Sequence, residues 1–459
     1  MKQKRTDLSK LKSFKYLLTL TIPIFLELLL SVFVGYVDQI MISRDADAVT
    51  AITNTNTILS VFIIAFHVFS MGSVILISNF KGQKNYNAEK SVYSVAFVLS
   101  TLVGLIISVI VIIFAEYFFR WIGLDLKCMD KALIYIRIVG GGMFIQAIMT
   151  IFSAFLKSNS LMKYSTMINV VVNLINVVVN FITIPYLGIV GVAIATTLSR
   201  IVGTILMIII FIKKTKINLL KKPLKYFRKE TFKQIISIGG PSASEALSYN
   251  ASQIIILAVI NGLNNTELVN LKSYTSMFAM FAYMFTSAIS QAMQVVIGEL
   301  LGMGKLDEAK KKVYQTLISS TISAMLIAFI LFLISNNAYS VFGITDPEIL
   351  RIGKMLLCIE IVLEFGRAFN IVFVRALQSS GDILFPTVMS VIFCWAVAVL
   401  GSYLLGGNNV WLNLGLVGVW LAMMLDELIR AFIFLIRYKK GKWEYKLKNL
   451  FASVKLAEE

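Results

Sequence analysis

Long apolar stretches separated by short polar segments run from Leu17 to Ile436. A bilayer-spanning helix needs about 20 mostly apolar residues, and twelve stretches are of that kind. The first six are Leu17–Met41, Val49–Phe80, Val92–Phe119, Leu133–Leu156, Met162–Tyr186 and Ile189–Ile212. The second six are Ile235–Asn261, Leu271–Leu300, Val313–Ile334, Ile349–Leu377, Leu384–Leu405 and Leu416–Ile436. Of the 459 residues, 58% are hydrophobic and only 15% charged, whereas ordinary globular chains are about a quarter charged. The pattern predicts an all-α integral membrane protein of about 12 transmembrane helices.

The polar segments give an orientation. Lys2, Lys4, Arg5, Lys10, Lys12 and Lys15 precede the first span, and the even-numbered connections carry Lys81, Lys84, Lys90, Lys157, Lys163, Lys305 and Lys310 to Lys312. The odd-numbered connections hold few basic residues, such as Arg44, Arg120, Lys127, Lys131 and Arg351. Basic loops stay on the cytoplasmic side, so both termini are expected there, in a plasma-membrane protein. The same placement explains the net charge of +18 without nucleic acid as a partner. The basic start leads into a long span with no small-residue cleavage site, so a removable signal peptide is not expected. Cys128, Cys358 and Cys394 are widely spaced and show neither a disulfide framework nor a metal spacing.

The two sets of six look like one unit used twice. Pro23 and Glu27 in the first span answer Pro241 and Glu245 in the seventh. Gly82 and Ala88 answer Gly302 and Ala309, Leu156-Lys-Ser158 answers Leu377-Gln-Ser379, and Gly188–Gly191 answers Gly415–Gly418. Six spans per half give both halves the same orientation, with the symmetry axis along the membrane normal. The expected organisation is a basic N-terminus (1–16), an N-lobe (17–212), a basic linker (213–233), a C-lobe (234–437) and a tail (438–459). Two lobes that rock about a central site are a transporter device. No phosphate loop, metalloprotease helix, Cys/His cluster or nucleophile elbow is present, so the chain is read as a transporter and not an enzyme.

Charged groups within the spans are costly, about 2.5–3.5 kcal/mol at the bilayer centre on insertion scales. Glu27 and Asp38 lie on one face of the first span, roughly 16 Å apart along the axis, and Pro23 one turn before Glu27 is placed to bend that helix. Two carboxylates on a bendable helix suit a proton or cation site. Asn169, Asn173, Asn176 and Asn180 make an amide stripe along the fifth span, with interhelical hydrogen bonding as the structural alternative. Thr196 and Thr197 in the sixth are placed to add oxygens. The tenth span carries Glu360, Glu364, Arg367, Arg375 and Gln378, and the twelfth Asp426, Glu427 and Arg430, where ion pairing competes with a substrate role. Met277, Phe281, Met284 and Gln291 of the eighth span join Glu27, Glu245, Glu364 and Arg367 as candidate cavity residues. Met and aromatic side chains adapt to varied ligands and stack on flat cations.

Pro23 followed by Gly35-Tyr-Val-Asp38-Gln-Ile-Met41 resembles the first span of the multidrug and toxic compound extrusion (MATE) family, and the similarity covers almost the whole chain. Gly82–Ala88, Gly302–Ala309, Gly188–Thr196 and Ala376–Asp382 support it. The resemblance implies two pseudo-symmetric six-helix bundles in a V-shaped fold. It also implies export of amphiphilic, often cationic organic compounds against inward Na⁺ or H⁺ flow, with no other cofactor. The family's N-terminal cation site falls on Asp38, Asn176, Asn180 and Thr196 or Thr197. Many relatives carry a second acid where this chain has Asn180, so this site holds one fewer negative charge. In the C-lobe, Arg367 stands where one branch has an acid, and that branch's seventh-helix acid falls near Tyr249. The C-lobe coupling site is therefore not carried over. The alternative is a lipid-linked precursor flippase of the same broader superfamily, with Arg367 and Arg375 on pyrophosphate. Expected partners are small organic molecules and membrane lipid, for a monomer.

Overall fold

The computed structural model describes residues 8–43, 45–219, 224, 226–408 and 410–447, and the side chains of 33–40 lie outside the described residues. All of the regular elements described are helices. After a short α1 (Leu8–Lys12) come α2 (Phe14–Met41), α3 (Ala46–Gln83), α4 (Tyr86–Trp121), α5 (Leu126–Gly141), α6 (Met143–Ser158), α7 (Met162–Leu187) and α8 (Ile189–Thr215). The second half has α9 (Lys229–Asn261), α10 (Thr266–Gly302), α11 (Leu306–Leu333), α12 (Ser335–Ser340) and α13 (Pro347–Ser379). It ends with α14 (Leu384–Phe393), a π-helical turn Cys394–Val399, α15 (Leu400–Gly406) and α16 (Gly415–Lys439).

To within one residue, ten of the twelve apolar stretches lie each in one of these helices, the fourth in the broken pair α5–α6, and the eleventh across α14, the π-helical turn and α15. Among the described residues, nine helical segments (α14 to α15 counted as one) are long and apolar enough to cross a membrane, and α5 with α6 makes a tenth, bent by 44°. Two further long helices, α13 and α16, hold the tenth and twelfth stretches with their charged clusters, which are paired as described below.

Polar side chains start the helices by accepting from otherwise unpaired N–H groups. Asp45 accepts from Ala48, Asn85 from Ala88, Asn265 from Glu267, and Asp346 from Glu348 just ahead of Pro347.

The duplication read from the sequence is written into the backbone. Left-handed residues recur in pairs: Lys84 and Gly304, Gly123 and Gly343, Ser160 and Gly381, Gly188 and Gly415, Lys216 and Gly441. Each member stands at or within three residues of a helix boundary, at the same place in its half. Three of the first members are not glycine, so the turn geometry outlasts the residue that best suits it.

The halves also differ. The span expected at Leu133–Leu156 starts earlier, at Leu126, and breaks at Gly142. Gly140, Gly141 and Gly142 stand at the break, whereas the corresponding stretch of α13 holds Ile361, Val362 and Leu363 and runs unbroken. Glycine's backbone freedom and missing side chain make the break there inexpensive.

By packing, the chain divides into two units: one contains Ile22–Ala243, the other Leu8–Thr21 and Ser244–Glu459. The divisions fall inside α2 and α9, beside Pro23 and Pro241, and not in the 213–233 linker. The first unit is built on Phe66, Phe119, Tyr135, Ile136 and their neighbours, the second on Leu271, Tyr339, Leu356, Leu357 and Trp420. The early part of α9 is held in the first unit by close backbone approach. A Cβ on Gly239 would lie 1.9 Å from the Val68 carbonyl oxygen, and one on Gly72 2.7 Å from that of Ile235. Small residues allow such contacts between membrane helices.

Candidate functional site

The helical hairpin α7–α8 turns at Gly188, whose φ is +53°. Gly191 packs against Thr183 and Gly203 against Val172, which fixes an antiparallel register and brings Asn176 and Asn180 alongside Ala195 to Ser199. Asn180 is fully buried, and its amide donates to Asn176 Oδ1 at 3.3 Å. Asn176 is buried as well, whereas Asn169 and Asn173 of the same stripe are half-buried. Thr196 is 9% exposed, and the hydroxyl oxygens of Thr196 and Thr197 are buried with no hydrogen-bond partner among the described residues. The Thr197 methyl would touch a Cβ on Gly142 at 3.4 Å, so the break between α5 and α6 sits beside this cluster.

The hairpin register puts these four uncharged polar residues at one level of α7 and α8. Buried hydroxyls lacking partners are uncommon and costly. Amide and hydroxyl oxygens of this kind are ligands for a hard cation. Asp38 lies within α2, but its side chain is outside the described residues. Pro23 lies inside α2, and its carbonyl accepts a 2.7 Å hydrogen bond from Thr166 of α7. Proline removes a helical N–H and its ring disturbs the preceding turn, so this external bond occupies the Pro23 carbonyl where the helix's own bonding is interrupted.

Glu27 is not a lone acid. Lys157, near the end of α6, donates to its Oε1 at 2.8 Å, while Oε2 is buried without a partner among the described residues. Glu245 has Ser390 beside it and Arg375 and Arg430 within electrostatic reach. Arg375 also contacts Gln294 at 3.4 Å. On α10, Met284 is buried, Met277, Phe281 and Gln291 are half-buried, and Gln291 donates to Ser287 at 3.3 Å. Outside the spans, Asp45 takes two bonds from Lys131, at 2.6 and 2.8 Å. That contact, then the Ala48 N–H, holds its carboxyl below the ordinary value.

The charges of the tenth and twelfth spans, separate clusters in the sequence, meet in one buried network between α13 and α16. Arg367 pairs with Glu364 and, at 3.1 Å, with Glu360. Glu360 also accepts from the Trp420 indole at 2.8 Å. Arg430 binds Asp426 at 2.6 Å and Glu427 at 3.1 Å, and Asn370 donates to the Glu427 carbonyl at 2.9 Å and to its carboxylate. Glu364 and Arg367 thus face each other within the network. Lys157, Thr166, Asn370 and Trp420 carry no site signal in the sequence, because their partners lie 57 to 143 residues away.

Comparison with known proteins gives one answer. The family model MatE matches residues 23–182 and again 241–404, once per half. The uncharacterized transporter YisQ of Bacillus subtilis (strain 168) is 32% identical over 94% of this chain and 95% of its own length. The probable multidrug resistance protein NorM of Thermotoga maritima is 24% identical over 94% and 93%. An outward-facing structure of a multidrug resistance MATE family transporter of the MOP superfamily superposes with a TM-score of 0.86. It is 17% identical and covers 97% of this chain and 100% of its own.

Proposed function

The chain belongs to the MATE family of membrane transporters, and from that premise we propose that it exports amphiphilic organic cations in exchange for inward-moving Na⁺ or H⁺. It is a multi-pass membrane protein of the drug-extrusion family and not an enzyme. The observation that carries the finer reading is the Asn176, Asn180, Thr196 and Thr197 cluster, whose buried hydroxyl oxygens lack protein partners among the described residues. Asp38 supplies the negative charge and the proton acceptor. Filling the site favours one bend of α2 at Pro23 over another and so biases alternating access. The transporter acts as a plasma-membrane monomer with both termini cytoplasmic, and needs no cofactor besides the coupling ion.

The flippase alternative requires basic groups free to hold pyrophosphate. Arg367 is already engaged by Glu360 and Glu364, which favours the exporter. Purified protein is expected to bind a fluorescent organic cation, with undecaprenyl-type lipid failing to displace it; saturable lipid binding in place of cation binding would reverse the choice. Asn180→Asp restores a second charge to the site. It should tighten the coupling ion at least tenfold, about 1.4 kcal/mol, read as the Na⁺ or proton concentration that half-maximally drives transport.

A further inference from the structure

The helices divided between the two units are each fastened at their cytoplasmic start, by contacts that occupy equivalent places in the repeat. At the start of α9, Thr231 and Ser91 at the start of α4 share a 2.8 Å hydrogen bond between buried hydroxyls. At the start of α2 the corresponding place in α11 is taken by Lys312. Lys312 is 2% exposed, and its ammonium donates to Gln315 Oε1 at 3.0 Å and, at 2.8 Å, to the carbonyl of Lys12, the last residue of α1 and two residues before α2. Lys12 Nζ in turn pairs with Glu308 at 2.6 Å, and Leu11 and Leu17 on either side are fully buried.

The two fastenings are unequal. Two neutral hydroxyls make an ordinary hydrogen bond of modest net strength. A buried ammonium makes charge-assisted bonds roughly twice as strong, and loses far more if its acceptors move away, because it is then stranded in an apolar site. The start of α2 is therefore held by a charge, where the start of α9 is held by a neutral bond and close backbone packing. The same helix continues past Pro23 into the other unit and carries Asp38.

We propose that Lys312 is a coupling latch, a positioning residue that fixes the start of α2 so that a change of bend at Pro23 acts on the unit containing α11. This rests on the ion-coupled reading above. Without the latch, the ion still binds and α2 still bends, but the movement is lost at a loose end and ions pass without substrate.

The test compares wild type, Lys312→Met, Lys312→Arg and Ser91→Ala in proteoliposomes, measuring ion uptake and substrate efflux together. Wild-type ion uptake coupled to efflux reports on the underlying reading; the variants report on the latch. Lys312→Met is expected to keep ion and substrate affinities within twofold while efflux per ion falls at least tenfold. Lys312→Arg should recover most of the ratio, and Ser91→Ala should change it less than threefold. An unchanged ratio in Lys312→Met overturns the proposal. Should that variant fold poorly, Lys312→Gln takes its place, and Lys12→Cys with Glu308→Cys, joined by a short thiol cross-linker in a Lys312→Gln, Cys358→Ser chain, replaces the latch covalently. Restored coupling supports the latch, and uncoupled transport from the cross-linked protein refutes it.

Discussion

Replacing Arg367 with Met should destabilise the protein by about 3–5 kcal/mol, the usual consequence of removing one partner from a buried ion pair. Arg367 lies against Glu360 and Glu364 and within 3.9 Å of Glu427. Glu364 is completely buried, and its second oxygen has no partner among the described residues. Without the guanidinium these carboxylates repel one another in an apolar interior. Methionine has a similar length, so the loss reports charge more than volume. Adding Glu364→Gln removes one of the stranded charges and should restore at least half of the stability. Thermal unfolding of the purified single and double variants measures both. A neutral single variant would mean that the arginine is not a structural counter-ion, and would reopen a direct substrate role for it.

The second large effect is on transport. Asp38→Asn preserves size and helix position but removes both the charge and the titrating proton. The other members of the proposed site, Asn176, Asn180, Thr196 and Thr197, are neutral, and none of them replaces the lost charge. The variant should fold with an unchanged melting temperature and bind organic cations within a fewfold of wild type. Substrate addition should no longer displace a proton or Na⁺, a change read by a pH dye or radiolabelled sodium on the purified protein. Displacement equal to wild type would move the ion site elsewhere.

Much of this architecture was legible because the bilayer imposes a simple rule on sequence: spans are long apolar runs, and ten of the twelve predicted ones fall each in one helix, the other two in interrupted ones. The repeat was legible for a related reason. Turns and prolines recur in order, and the paired left-handed residues follow the same order. Two features were not legible. The break at Gly142 looked like an uninterrupted apolar run, since hydrophobicity carries no information about backbone bends. The network of α13 and α16 read as two local clusters, because Arg367 and Glu427 are neighbours only after the helices pack. The Asn stripe was visible as a periodicity, yet only packing separates Asn176 and Asn180, which are buried, from Asn169 and Asn173, which are half-buried. Glu27 looked like a candidate cation site from its place after Pro23. Lys157, 130 residues away, is what turns it into an ion pair.

The central claim is that an inward ion gradient acting at Asp38 drives substrate out. The most direct measurement is efflux of a fluorescent organic cation from proteoliposomes under an imposed Na⁺ or pH gradient, with wild type and Asp38→Asn side by side. The account predicts gradient-driven efflux by wild type under one of the two gradients and none by the variant. Efflux that ignores both gradients, or that persists undiminished in Asp38→Asn, would contradict it.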